Sequence, residues 1–139
     1  MGPASLRELF SLPLAAVEFA AFGGTNFSRA ELLRNRQEKQ ISYEPFTRVG
    51  ESASDMVGYV NEILRTEKNP GFREVIISGG IKDFLDGYYL LKKLKTPAVY
   101  GQASGFLMHA MESYEDLHKY VESQVDGLRL AFAYLTLKA

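Results

Sequence analysis

Cysteine and tryptophan are both absent from these 139 residues. Without cysteine there can be no disulfide, thiolate metal site or cysteine nucleophile, and a reducing compartment is mildly favoured. Charge of one sign is also missing. Sixteen Lys and Arg oppose seventeen Asp and Glu, a formal net charge of -1, so nothing in the balance argues for nucleic acid as a partner. No apolar run approaches the ~20 residues of a membrane span. The opening MGPASLRELF carries Arg7 and Glu8 and has no signal-peptide core. The expectation is a soluble cytoplasmic protein without a membrane segment. With 46% hydrophobic residues, the length suits one domain with a sizeable core.

Pro3 followed by Leu6, Leu9 and Phe10 on one face predicts a short helix, which Pro13 ends. Residues 14–22 (LAAVEFAAF) predict a buried strand, interrupted only by Glu18. An unpaired buried carboxylate is costly, so Glu18 is read either as facing inward near the strand ends or as the partner of an arginine. Residues 29–36 predict a short surface helix or loop, RNRQEKQ a solvated charge run, and 41–50 an irregular stretch. Ser52 or Ser54 caps the next helix, whose apolar stripe is Met56, Val60, Ile63 and Leu64. Asn69-Pro70-Gly71 breaks the chain. Strands are predicted over 74–78 and 98–100, separated by a helix over 81–94 with Phe84, Tyr88 and Leu91 in line. Lys92, Lys93 and Lys95 complement the dipole at the end of that helix. A turn and a short helix fill 101–111. Ser113 and Asp116 then open a last helix, with capping-box spacing, that runs to about 136. Its Leu117, Val121, Leu128, Phe132 and Leu135 share one side. Strands alternating with amphipathic helices define an α/β fold of about three βα units with parallel strands. Three strands make a thin sheet, and parallel sheets are normally covered on both faces.

Each strand runs into glycine: Phe22-Gly23-Gly24-Thr25, Ser78-Gly79-Gly80-Ile81 and Tyr100-Gly101-Gln102-Ala103-Ser104-Gly105. Glycine permits positive φ and close backbone approach, which frees N–H groups to face an anion. The second and third turns lead directly into helices, whose N-termini carry partial positive charge. Two such turns on consecutive βα units, with a short extra helix over 104–111, match the phosphate cup of a TIM (β/α)8 barrel after its last two strands. His109 and His118 have no metal-ligand spacing; the first reads as a packed or surface residue and the second as solvated. Gln37 and Glu38 belong to the charge run. Tyr88, Tyr89, Tyr120, Phe132 and Tyr134 read as packing residues.

GGTNF (23–27) with the following Leu32-Leu33-Arg34-Asn35, then ISGGIK (77–82), then GQASGFL (101–107), resemble the C-terminal portion of type 2 isopentenyl-diphosphate Δ-isomerases. The resemblance spans essentially the whole chain and implies an FMN-dependent TIM barrel that interconverts isopentenyl and dimethylallyl diphosphate, with Mg²⁺ and NADPH as further cofactors. It implies that Thr25 hydrogen-bonds the flavin. Gly79, Gly80 and Lys82 would surround the FMN phosphate, as would the backbone of Ala103 and Ser104. No catalytic or metal-binding residue is implied within these positions. A whole barrel takes about 250 residues. Residues 1–139 would therefore be a single partial barrel domain, strands six to eight, inactive alone and expected to form a homo-oligomer. Two departures stand out: Ala21-Phe22 where many members carry Gly or Ala and then Arg or Ala, and Gly105 where proline is common. One alternative is another FMN-dependent barrel oxidoreductase acting on small hydroxy acids. It is weakened because no histidine follows the first strand. The other is a non-catalytic phosphate-binding half-barrel, whose open edges and face invite a second copy.

Overall fold

The computed structural model describes residues 2–67 and 71–138; Asn69 and Pro70, expected to break the chain, lie outside them. Three parallel strands lie side by side in chain order: β1 (Ala16–Glu18), β2 (Glu74–Ser78) and β3 (Ala98–Gly101). The register sets Val17 opposite Val75, Val75 opposite Ala98 and Ile77 opposite Tyr100. Because side chains alternate across a strand, Val17, Val75 and Ile77 share one face and are buried. Glu18, Ile76 and Val99 form a row on the other face. Val99 is 60% exposed there, and Glu18 is also exposed. Among the described residues, helices cover one face only. Glu18 has no arginine within ion-pair distance among them, and its exposure removes the burial cost that called for one.

Seven α-helices accompany the sheet among the described residues. In α1 (Pro3–Phe10), proline occupies the first turn, where its missing N–H costs nothing, and Leu6 and Phe10 bury one i,i+4 face. Phe10 packs on Phe72 with ring centroids 4.0 Å apart. The next connection is longer than a simple turn, holding α2 (Phe27–Leu33), α3 (Gln37–Tyr43) and a 3₁₀ turn, Glu44–Arg48. The charge run expected over 34–40 thus becomes helical from Gln37, on the surface, with Pro45 seating the 3₁₀ turn. Asn26 holds this excursion together: its Oδ1 accepts from the Arg29 N–H and its Nδ2 donates to the Thr47 carbonyl.

Helix α4 (Ala53–Thr66) supplies the largest apolar face, with Met56, Val57, Val60 and Ile63 at 2% exposure or less. Each such side chain is worth about 1.5–3 kcal/mol when removed from water. Together with α1, β1 and β2, with Leu90 from α5 (Phe84–Lys93) and with Leu94 just after it, α4 encloses one core. A second, smaller layer lies between α5 and α7 (Tyr114–Tyr134). There Tyr88 and Ala131 are buried, and Tyr88 meets Phe132 edge-on at 5.1 Å. The stripe expected on α7 is only partly covered: Phe132 and Leu135 stay 46% exposed, and Tyr134, read as packing, is 81% exposed.

Strand β1 is shorter than the nine residues predicted because Ala20 adopts φ +47°, a left-handed conformation disfavoured by its Cβ. The ladder continues across the kink. Phe19 N–H donates to Ile76 and Ala21 N–H to Ser78, both at 3.0 Å, while Ala20 N–H turns to the Ser78 hydroxyl. Replacing Ala20 with glycine should relieve strain and raise stability by up to about 1 kcal/mol. A denaturant melt with lower stability for Ala20→Gly would contradict that reading.

Ser52 caps α4 through a complete capping box with Asp55. The Asp55 carboxylate accepts from the Ser52 hydroxyl and N–H, and these bonds hold its pKa below the ordinary 3.8. A depressed carboxylate stabilises above 3.8 and loses that contribution as pH falls through its lower folded value. Wild type should therefore be more stable than Asp55→Asn at pH 7, with the gap closing on acidification below 3.8. Thermal melts of both proteins across that range provide the check.

Candidate functional site

The three glycine turns lie together at the C-terminal ends of the strands. The first two interlock. A Cβ on Gly23 would lie 2.6 Å from the Gly80 Cα, and one on Gly79 would lie 2.1 Å from the Ala21 carbonyl oxygen. Gly23, Gly79 and Gly80 all take positive φ, so these positions exclude side chains on two independent grounds. The two turns can approach this closely only because Gly23, Gly24 and Gly79 carry no side chain.

The backbone donors that remain are unevenly distributed. At the start of α5, Asp83 accepts from the N–H groups of Leu85 and Asp86, and Asp86 accepts from Lys82 N–H. The helix therefore occupies its own N-terminal donors with carboxylates, which removes α5 from the expected anion site. The N–H groups of Gly79, Gly80 and Ile81 have no acceptor among the described residues. Helix α6 (Ser104–Glu112) begins on Ala103 with no side-chain cap, which leaves its first-turn donors open. Both sets of free N–H groups are potential oxyanion donors at this end of the sheet.

The side chains singled out in the sequence divide among these features. Gly79, Gly80 and Lys82 line a hollow of about 350 Å³ bounded by the start of α4 and by Tyr89. Lys82 is exposed and has no ion pair among the described residues. Thr25 lies in a neighbouring hollow of about 160 Å³ with Asn26 and Gly50. Phe22 borders both hollows and packs on Gly50, where a Cβ would meet its ring at 3.3 Å. Ala103 and Ser104 are exposed and line neither hollow. One amide joins the second turn to the third: Gln102 Nε2 donates to the Lys82 carbonyl at 2.5 Å.

Sequence reasoning overlooked several of these contacts. The Asp83–Asp86 spacing was a readable helix-start signal. The Gln102 bridge spans 20 residues and had no local signature. His109 is a packed residue: its ring stacks on Tyr120 at 4.2 Å, and its Nδ1 meets Asp116 Oδ2 at 2.5 Å. The capping box at Ser113 is accordingly half made. Ser113 Oγ accepts from Asp116 N–H, while the Asp116 carboxylate turns to His109. His118 is solvated, 3.5 Å from Glu122. Among the described residues, no three His, Asp or Glu side chains gather at metal-binding distance, and no helix is long and apolar enough to cross a membrane.

By class, then, this is an α/β chain whose parallel strands end in interlocked glycine turns beside an uncapped helix. No family model matches it. It is similar to a protein named isopentenyl-diphosphate delta-isomerase from Bacillus licheniformis, 30% identical over 124 residues, which cover 88% of this chain and 32% of the relative. It is also similar to the isopentenyl-diphosphate delta-isomerase of Bacillus pumilus, 30% identical over 113 residues, covering 80% and 28% respectively. The chain thus spans about a third of the length of these curated relatives, and the similarity supports a relationship to isopentenyl-diphosphate isomerases.

The interlock makes a sharp demand. Gly79→Ala should destabilise the chain by about 3 kcal/mol, from the left-handed backbone and the overlap with Ala21 combined. The same substitution at Gly58, which is exposed in a helix and has open space around it, should be neutral or stabilising. Urea unfolding of both variants measures the contrast.

Proposed function

We propose that these residues are the last three βα units of a (β/α)8 barrel of the type 2 isopentenyl-diphosphate Δ-isomerase family, and that they carry its FMN phosphate-binding turns. The observation that carries the reading is the Gln102 bridge, which ties the turn bearing the free N–H groups of Gly79 and Gly80 to the turn that leads into the uncapped α6. Support comes from the similarity to proteins named isopentenyl-diphosphate delta-isomerase. It also comes from the sheet, whose one bare face corresponds to the inside of a barrel.

In this reading the N–H groups of Gly79 and Gly80 and the backbone of Ala103 and Ser104 would hold the phosphate. The exposed ammonium of Lys82 adds charge, as a point-charge phosphate partner. Open backbone donors and an unpaired cation suit a phosphate dianion, so the residues present fit that end of the cofactor. Thr25 would hydrogen-bond the flavin from the first turn. Phe22, standing between the two hollows, shapes the space there. Bound FMN in its reduced form would supply acid–base chemistry at the allylic double bond of isopentenyl and dimethylallyl diphosphate. The protein's part is to orient the cofactor and exclude water. Mg²⁺ and NADPH enter this proposal through the family resemblance alone, whereas a cytoplasmic location is proposed from the absence of cysteine. The 139 residues by themselves are expected to be inactive, because no catalytic side chain is assigned among them.

The bare sheet face and open strand edges favour self-association as an accompanying property. Such a homo-oligomer would cover Ile76 and Val99, and its mass in solution would be a multiple of 15.6 kDa.

The deciding measurement is fluorescence titration of the chain with FMN, with riboflavin as the phosphate-free control. Tighter binding of FMN is expected. Equal affinity for the two flavins would remove the phosphate-cup reading.

A further inference from the structure

Helix α6 folds back on α7 through a polar and aromatic cluster that the proposed cofactor site does not use. At its centre is Tyr120. Its hydroxyl accepts from Gln102 Nε2 at 2.7 Å, its ring stacks on His109, and Phe106 meets it edge-on at 5.2 Å. The hydroxyl occupies the space of a missing side chain: a Cβ on Gly105 would lie 2.4 Å from it. Glycine at 105, one of the two departures from the family pattern, thus makes room for Tyr120.

Gln102 uses both amide hydrogens, one on the Lys82 carbonyl and one on Tyr120. Its Oε1 is buried and has no partner among the described residues. A buried orphan acceptor is unfavourable, so the orientation of this amide is set by its two donors. The second turn, the third turn and α7 are thereby tied through a single side chain.

We propose that Gln102 and Tyr120 are positioning residues for the phosphate cup: the amide fixes the distance between the Gly79-Gly80 turn and the start of α6, and Tyr120 anchors the amide. The inference rests on the cup reading above. It assigns to Gln102 and Tyr120 no contact with the anion and no chemical step. Preorganised donors bind an anion without the cost of ordering two loops at the moment of binding. Loss of the bridge should therefore weaken recognition of phosphate and leave recognition of the isoalloxazine unchanged.

The test compares wild type, Gln102→Leu and Tyr120→Phe in the full chain, by FMN and riboflavin titration and by amide hydrogen exchange without ligand. For Gln102→Leu, FMN affinity should fall about tenfold, the cost of one such hydrogen bond, with riboflavin affinity unchanged. Exchange at residues 103–106 should quicken while exchange in α4 stays as in wild type. Tyr120→Phe keeps the ring and loses the oxygen, so it should move both readouts the same way by a smaller factor. It also decides the matter should Gln102→Leu fail to fold. If both flavins bind wild type equally, the cup reading fails and this inference falls with it. If wild type prefers FMN and the folded variants keep that preference, only the positioning role is overturned. A loss of FMN affinity accompanied by faster exchange in α4 would equally overturn it, since that is general destabilisation.

Discussion

The close approach of Gly23-Gly24 to Gly79-Gly80 is the constraint on which the rest of the arrangement depends. Two strand ends meet there with a separation no side chain could share. Several local choices follow from it. Ala20 accepts a left-handed conformation to turn the first loop inward, and Ser78 offers its hydroxyl to the amide that the kink strands. The long excursion after β1 then returns through Gly50 beneath Phe22, and Phe22 N–H is satisfied by the Glu51 carbonyl. Strain at one alanine is thus offset by hydrogen bonds and contacts on either side, which is the usual way a disfavoured backbone persists.

Much of this was legible in the sequence. Helices α1, α4, α5 and α7 announced themselves by period, by proline and by caps, and the order of strands and helices pointed to parallel pairing. The strands at 74–78 and 98–100 were placed to within a residue. Less legible were features decided by partners far along the chain. Strand β1 ends four residues before the predicted 22 because of a φ value that depends on Ser78. Helix α3 forms within a run of alternating charge, where the hydrophobic period is too weak to signal it.

The glycine turns divide in the same way. Their presence and spacing could be read directly, but whether each served an anion or a neighbouring backbone could not. The missing side chain of Gly23 makes room for neighbouring backbone, and that of Gly79 does so while leaving its N–H free. The helix start expected to share in binding, that of α5, is filled by Asp83 and Asp86, while α6 is left open. An N-terminus is an anion site only when nothing in the chain has claimed its donors first.

The division of the apolar residues into two layers bears on how the chain comes apart. The main core joins α1, α4 and the sheet, whereas α7 buries Ala131 alone and rests chiefly on α5 and α6. Contacts of such unequal size do not melt as one cooperative unit. The hairpin of α6 and α7 will peel away at a smaller free-energy cost than the sheet, carrying the third turn with it. The chain can thereby lose its third turn while the two interlocked glycine pairs remain folded.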